Sequence, residues 1–96
     1  MGTYISLINW TDQGIKNVKD SPARLDAAKQ LAKKLGCELK QFFMTIGAYD
    51  MVAVMEAPDD EAAAKFTLIL ASGGNVRTST LKAFDEATYR KIVSGL

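Results

Sequence analysis

The chain has 96 residues, 48% of them hydrophobic, and 12 Lys and Arg against 11 Asp and Glu leave a net charge of +1. That length fits one domain over residues 1–96, and the charge balance excludes a general nucleic-acid binder, which concentrates a basic excess. One Cys and no His exclude an intrachain disulfide and a structural zinc site, and remove the commonest general base and haem ligand.

No stretch reaches the about 18 apolar residues of a membrane span, and Tyr4, Asn9 and Asp12 interrupt the N-terminal apolar stretch that a signal peptide would need. The expectation is a cytoplasmic protein with no metal, cofactor, nucleic-acid or membrane partner. Two short motifs, Gly2 with Ser6 for myristoylation and Asn9-Trp10-Thr11 for glycosylation, lie in or beside an expected strand and recur by accident at this length.

Residues 3–10 are rich in strand formers. Thr11-Asp12-Gln13-Gly14 is a helix start, and Ile15, Val18, Leu25, Ala28, Leu31 and Leu35 follow at helical spacing. Ser21-Pro22 reads as a cap followed by proline at the first helical position, so this region is two helical pieces or one bent helix, ended by Gly36. Residues 37–46 and 51–57 are apolar strands around a hairpin at Gly47-Ala48-Tyr49-Asp50. Pro58-Asp59-Asp60-Glu61 opens a second helix, with acidic groups against its positive end; capping accounts for them better than a divalent-metal site does. Ser72-Gly73-Gly74-Asn75 stops that helix, residues 75–84 form a fourth strand, and Asp85-Glu86 caps a last helix with Tyr89, Ile92, Val93 and Leu96 on one side.

This order is α+β: a ferredoxin-like β-α-β-β-α-β sandwich with an extra C-terminal helix. The expected sheet has strands one and three parallel in the middle, strand two beside strand three, strand four beside strand one, and both long helices on one face. Both sheet faces are apolar. Strand one offers Ile5 and Leu7 on one side and Tyr4, Ile8 and Trp10 on the other, strand two Leu39 and Phe43 against Phe42, Met44 and Ile46, and strand three Val52 and Val54 against Met51, Ala53 and Met55. Helices on one side leave a large bare apolar patch. A second copy covering it gives a homodimer of the dimeric α/β-barrel type; the alternative is that the last helix covers it within one chain.

Gly47-Ala48-Tyr49-Asp50, together with Thr11-Asp12-Gln13-Gly14-Ile15-Lys16, Ala57-Pro58-Asp59-Asp60-Glu61 and Gly74 to Phe84, resembles the GYD-domain family, small bacterial proteins named for the Gly-Tyr-Asp signature. The resemblance covers roughly residues 4–85. It implies a ferredoxin-like, dimeric α/β-barrel-type fold, and it implies no reaction and no catalytic residue.

Two groups of residues are candidates for chemistry. Gly47, Tyr49 and Asp50 are a donor–acceptor or acid–base pair in one reading. In the other they form a turn: Gly47 is permissive, Asp50 bonds nearby amides and Tyr49 packs. The second group follows from the expected topology, which puts Trp10, Asp12, Gln13, Cys37, Glu56, Asn75 and Arg77 at one sheet edge and the Tyr49-Asp50 hairpin at the other. Trp10, Asp12, Asn75 and Arg77, with Arg24 from the first helix, would hold a small organic or anionic ligand there. Otherwise they are a surface polar cluster, with Arg24 pairing with Asp20 or Asp12. Without a His to activate them, Thr78, Ser79 and Thr80 read as an edge strand, and Cys37 reads as a small buried hydrophobe. The functional expectation is a homo-oligomeric domain binding a small ligand. The alternatives are a cofactor-independent oxygenase- or isomerase-like enzyme and a structural subunit of a larger assembly.

Overall fold

The computed structural model describes residues 1–96. Strand β1 (Gly2–Trp10) leads through Thr11 into the one-turn helix α1 (Asp12–Lys16), a 3-10 turn at Val18–Asp20, and α2 (Ser21–Lys34). The region expected as one or two helical pieces is therefore broken twice. Ser21 is not a cap but the first residue of α2, with Pro22 next in the first turn, where its missing N–H costs no helical bond. Gly36, at φ 74°, reverses the chain after α2.

Then come β2 (Glu38–Met44), β3 (Met51–Ala57), α3 (Asp60–Ser72), β4 (Val76–Ala83) and α4 (Glu86–Ser94). The Asp59 carboxylate caps α3 by accepting from the Ala62 N–H at 2.8 Å, and Asp85 caps α4 through Thr88 at 2.8 Å. Each satisfies a donor that a helix start leaves free.

The sheet order is β2-β3-β1-β4, as expected for a ferredoxin-like fold, but the direction of one strand differs. β1 and β3 are antiparallel, with Thr3 opposite Glu56 and Ile8 opposite Met51, not parallel. The crossover through α2 makes β2 run parallel to β1, and the hairpin then reverses the chain, so β3 must oppose both neighbours. Every pairing in the sheet is antiparallel.

Tyr4, Ser6 and Ile8 of β1 and Met51, Ala53, Met55 and Ala57 of β3 are buried on the side that α2 and α3 cover. The main core joins Tyr4 and Met55 to Ala28 and Ala32 of α2, Ala63 and Phe66 of α3, and Cys37. Cys37 is the buried small hydrophobe expected, and burial, then the Asp59 carboxylate, push its thiol up.

The other side of the sheet carries Ile5, Leu7, Val52, Val54, Phe43 and Leu81, and no helix lies over it. Leu39 does not join them. A bulge between Leu39 and Gln41 shifts the register of β2, so Leu39 pairs with Met55 and packs on the helix-side core, while Phe43 pairs with Val52 and stays on the open side. The last helix does not cover that face: none of its residues is buried, and Tyr89, Ile92 and Val93 are about half exposed.

Gly14 is buried against the turn before β4, where an added Cβ would stand 1.9 Å from the Asn75 carbonyl oxygen. Neither partner is a movable side chain. Gly14→Ala is expected to destabilise the fold by about 3 kcal/mol, measured by urea unfolding, whereas Ala at exposed Gly95 should change little.

Candidate functional site

The antiparallel direction of β3 rearranges the expected site. The end of β1 lies beside the starts of β3 and β4, with Ile8 opposite Met51 and Trp10 opposite Val76. The Tyr49-Asp50 hairpin therefore shares an edge with Trp10, Asp12, Gln13, Asn75 and Arg77, not the opposite edge. Cys37 and Glu56 lie at the far end of the sheet, where Glu56 pairs with Lys40 at 3.6 Å.

Three of the motif segments meet at this corner. The Asp50 side chain accepts from the Trp10 N–H at 3.0 Å, and the Asp50 N–H is shared between the Ile8 carbonyl at 2.9 Å and the Asn9 amide oxygen at 3.0 Å. Within the hairpin, Thr45 N–H donates to the Asp50 carbonyl and Thr45 Oγ1 to the Tyr49 carbonyl. On the other flank Thr11 Oγ1 donates to the Gly74 carbonyl and accepts from Gly14 N–H. Gln13 Nε2 donates to the Gly73 carbonyl at 3.2 Å and to Asn75 Oδ1 at 3.0 Å. Gly74 turns at φ 82° directly under Gln13.

Polar groups here mainly bind backbone, not open space. Asp50 pins the hairpin to β1, which is the turn role weighed above. Gly47, at φ 150°, has nothing near it, so its need is conformational. Tyr49 does not pack as expected; it is 38% exposed. Asn9 is engaged by Asp50.

The five residues grouped as a ligand site divide among separate places. Trp10 and Arg24 line an apolar crevice between α2 and the sheet that holds about 70 Å³ of free space beside Leu25, Phe42 and Leu70. Arg24 pairs with neither Asp20 nor Asp12. Its guanidinium donates to the carbonyls of Asn17 at 3.1 Å and Gly14 at 3.2 Å, closing the end of α1. Asn75 is held by Gln13, Asp12 is exposed on the first turn of α1, and Arg77 points from β4 on the open side of the sheet, opposite Asn9.

One cluster is absent from the sequence reading. Asp60, grouped there with the capping acids, accepts from the Tyr4 hydroxyl and from Lys82 Nζ at 2.8 Å, and Lys82 lies 5.6 Å from the Tyr4 ring centre. The three sit in an open groove between α3 and β4. The only linear signal was that Asp60 directly follows the capping Asp59. The Lys82 and Tyr4 donors hold the Asp60 carboxyl below the usual carboxylate range, and the same contact with Asp60 raises both Lys82 and Tyr4. With a depressed folded value, Asp60 stabilises the fold above its unfolded value and loses that contribution as pH falls below about 4. The raised Lys82 and Tyr4 contribute below about pH 10 and lose it as pH rises further.

Two measurements check these roles. Asp50→Ala should cost about 1–3 kcal/mol in unfolding free energy by stranding the Trp10 amide, with Asp50→Asn recovering part of it; unchanged stability would remove the turn assignment. Between about pH 5 and pH 3 the melting temperature of the parent protein should fall further than that of Asp60→Asn, because only the parent has this carboxylate to protonate.

A model of the GYD domain matches residues 4–93. A Thermus thermophilus protein, described as a glutamine synthetase and cystathionine beta-lyase binding protein, is 36% identical over 88 residues, covering 91% of this chain and 93% of that protein. A solved structure from Thermus thermophilus superposes with a TM-score of 0.57 at 25% identity, over 88% of this chain and 95% of that one. A feast or famine regulatory protein from M. tuberculosis, complexed with L-methionine, gives a TM-score of 0.68 at 18% identity. The match covers 88% of this chain and 51% of the regulator, so the chain spans about half of that protein, and at this identity the likeness is one of fold. With the signature hairpin, the Thr11–Gly14 turn and the Gly74–Arg77 segment joined at one corner, and with the family model spanning nearly every residue, the chain belongs to the GYD domain family.

Proposed function

We propose that this protein is a homodimeric binding protein whose partners are other proteins, metabolic enzymes among them. The observation that carries the dimer is the bare side of the sheet. Ile5, Leu7, Val52 and Val54 occupy its two central strands, Phe43 and Leu81 flank them, and Phe43 is 53% exposed. Apolar area of this kind drives association at about 25 cal/mol per Å² before association costs. Two such faces packed together give the two-sheet barrel. The enzyme partner is supported by the Thermus relative, whose name gives it two enzyme partners and whose length this chain matches.

A specific observation also favours a small anion held between the two sheets. Arg77 is on the open side and forms no ion pair within the chain, so packing two sheets together would enclose an unpaired guanidinium unless an acid accompanies it. An anion there would let a metabolite adjust the enzyme-binding surface.

In light scattering the protein should have twice its 10.4 kDa chain mass, and Leu7→Asp should return it to the single chain while circular dichroism stays native. An immobilised dimer should retain purified glutamine synthetase from the same source. A single-chain mass at high concentration would end the dimer reading, and no retention of the enzyme at micromolar concentration would end the partner reading.

A further inference from the structure

The C-terminal helix has no reason to exist in a lone chain. It is nine residues long, and isolated helices shorter than about 12–15 residues are marginal in water. Tyr89, Ile92, Val93 and Leu96 recur at i, i+3, i+4 and i+7, which makes one apolar stripe. That stripe joins neither core cluster, and Leu96 is 98% exposed. Phe84, which leads into the helix, is exposed as well. The protruding helix accords with a radius of gyration of 14.3 Å, where a compact chain of this length has about 12–13 Å.

A second bare apolar cluster lies at the end of β2, where Phe43 on the open side and Ile46 just beyond the strand stand in solvent, at 53% and 98%. The two clusters occupy diagonally opposite corners of the sheet. The helix leaves the finishing end of β4, at one edge strand. Phe43 and Ile46 lie at the finishing end of β2, the other edge strand, beside the start of β3.

The area of the sheet points to what covers them. Four strands about 4.8 Å apart and seven paired residues rising about 3.4 Å each give a face of projected area about 450 Å². A stable interface buries about 800 Å² per partner. Side-chain relief adds to the projected figure, but the polar Arg77, Ser79 and Glu56 positions share the face. More apolar surface is needed, and the helix that carries the stripe follows directly on β4, whose Leu81 lies on this face.

We propose that α4 is an exchanged arm: in the dimer it crosses to a second copy of this chain and packs Tyr89, Ile92 and Val93 on the partner's Phe43 and Ile46. A two-fold axis parallel to the sheet, along the diagonal joining the other two corners, carries each bare corner onto the other. It turns the open faces toward each other, with the strands of the two sheets crossing steeply, one of the two ways that paired sheets pack. The contact forms twice, as two-fold symmetry requires. This rests on the dimer reading above, but it adds a partner surface that the sheet face alone does not specify.

The test uses the full chain carrying Ile46→Cys and Ile92→Cys, oxidised with copper phenanthroline. Those two positions are too far apart within one chain to bridge, so a rapid disulfide links two copies. Covalent dimer on a non-reducing gel is expected from the double variant and not from either single variant, the native Cys37 being buried. In parallel, Ile92→Asp with Val93→Asp should leave the single chain folded and raise the dimer dissociation constant at least tenfold in sedimentation. An intact dimer with no cross-link above the single variants, or with an unchanged dissociation constant, overturns the exchanged arm and leaves the sheet-face dimer standing. A dimer that survives Leu7→Asp but is split by the α4 pair would instead remove the sheet face and keep the arm.

Discussion

Two helices can cover only one side of a four-stranded sheet, and in this protein both sides are built from large apolar side chains. The helix side is complete: Tyr4 and Met55 meet the Ala residues of α2 and α3 with Phe66 between them. The other side is not completed from within, because none of the last helix's residues is buried against it. This shortage of cover leaves Phe43 and Leu81 exposed on that side. It is also the physical basis for reading the protein as one half of a larger unit.

The corner where the signature segments meet works differently. Beside its apolar cluster of Ile8, Trp10, Met51 and Val76, it satisfies backbone groups that the ends of strands and helices leave free. Asp50 closes the end of β1, Thr11 and Gln13 close the end of α3, and Arg24 closes the end of α1. A side chain already occupied in this way is poorly placed to hold a substrate. The polar residues that read as a site in the linear chain are thus largely the fastenings of the fold. Arg77 and Asp12 are the exceptions: Arg77 stands on the open side of the sheet with no ion pair in its own chain, and Asp12 is exposed on α1.

The likeness to a feast or famine regulator is one of fold, whereas the enzyme-binding relative matches this chain over 91% of its length. The fold leaves one side of the four-stranded sheet without a helix over it. A single scaffold of this kind can serve different partners, because the fold itself specifies none of them.

Local pattern was enough to read the element order, the hairpin, the caps at Asp59 and Asp85, the buried Cys37 and the two-faced character of the sheet. Each of these depends on neighbours within a few residues. Helical spacing, strand alternation and a carboxylate three residues before an amide are all visible in one dimension. The direction of β3 was also implied by connectivity, since a crossover followed by a hairpin leaves the inserted strand antiparallel to both neighbours, but only the pairing registers made that plain. The bulge that turns Leu39 to the core, the bond from Asp50 to Trp10 across 40 positions and the meeting of Tyr4, Asp60 and Lys82 were decided by tertiary structure alone. No local preference of those residues encodes them: a bulge is set by the strand alongside, and a hydrogen bond between distant segments exists only once the sheet has brought them together.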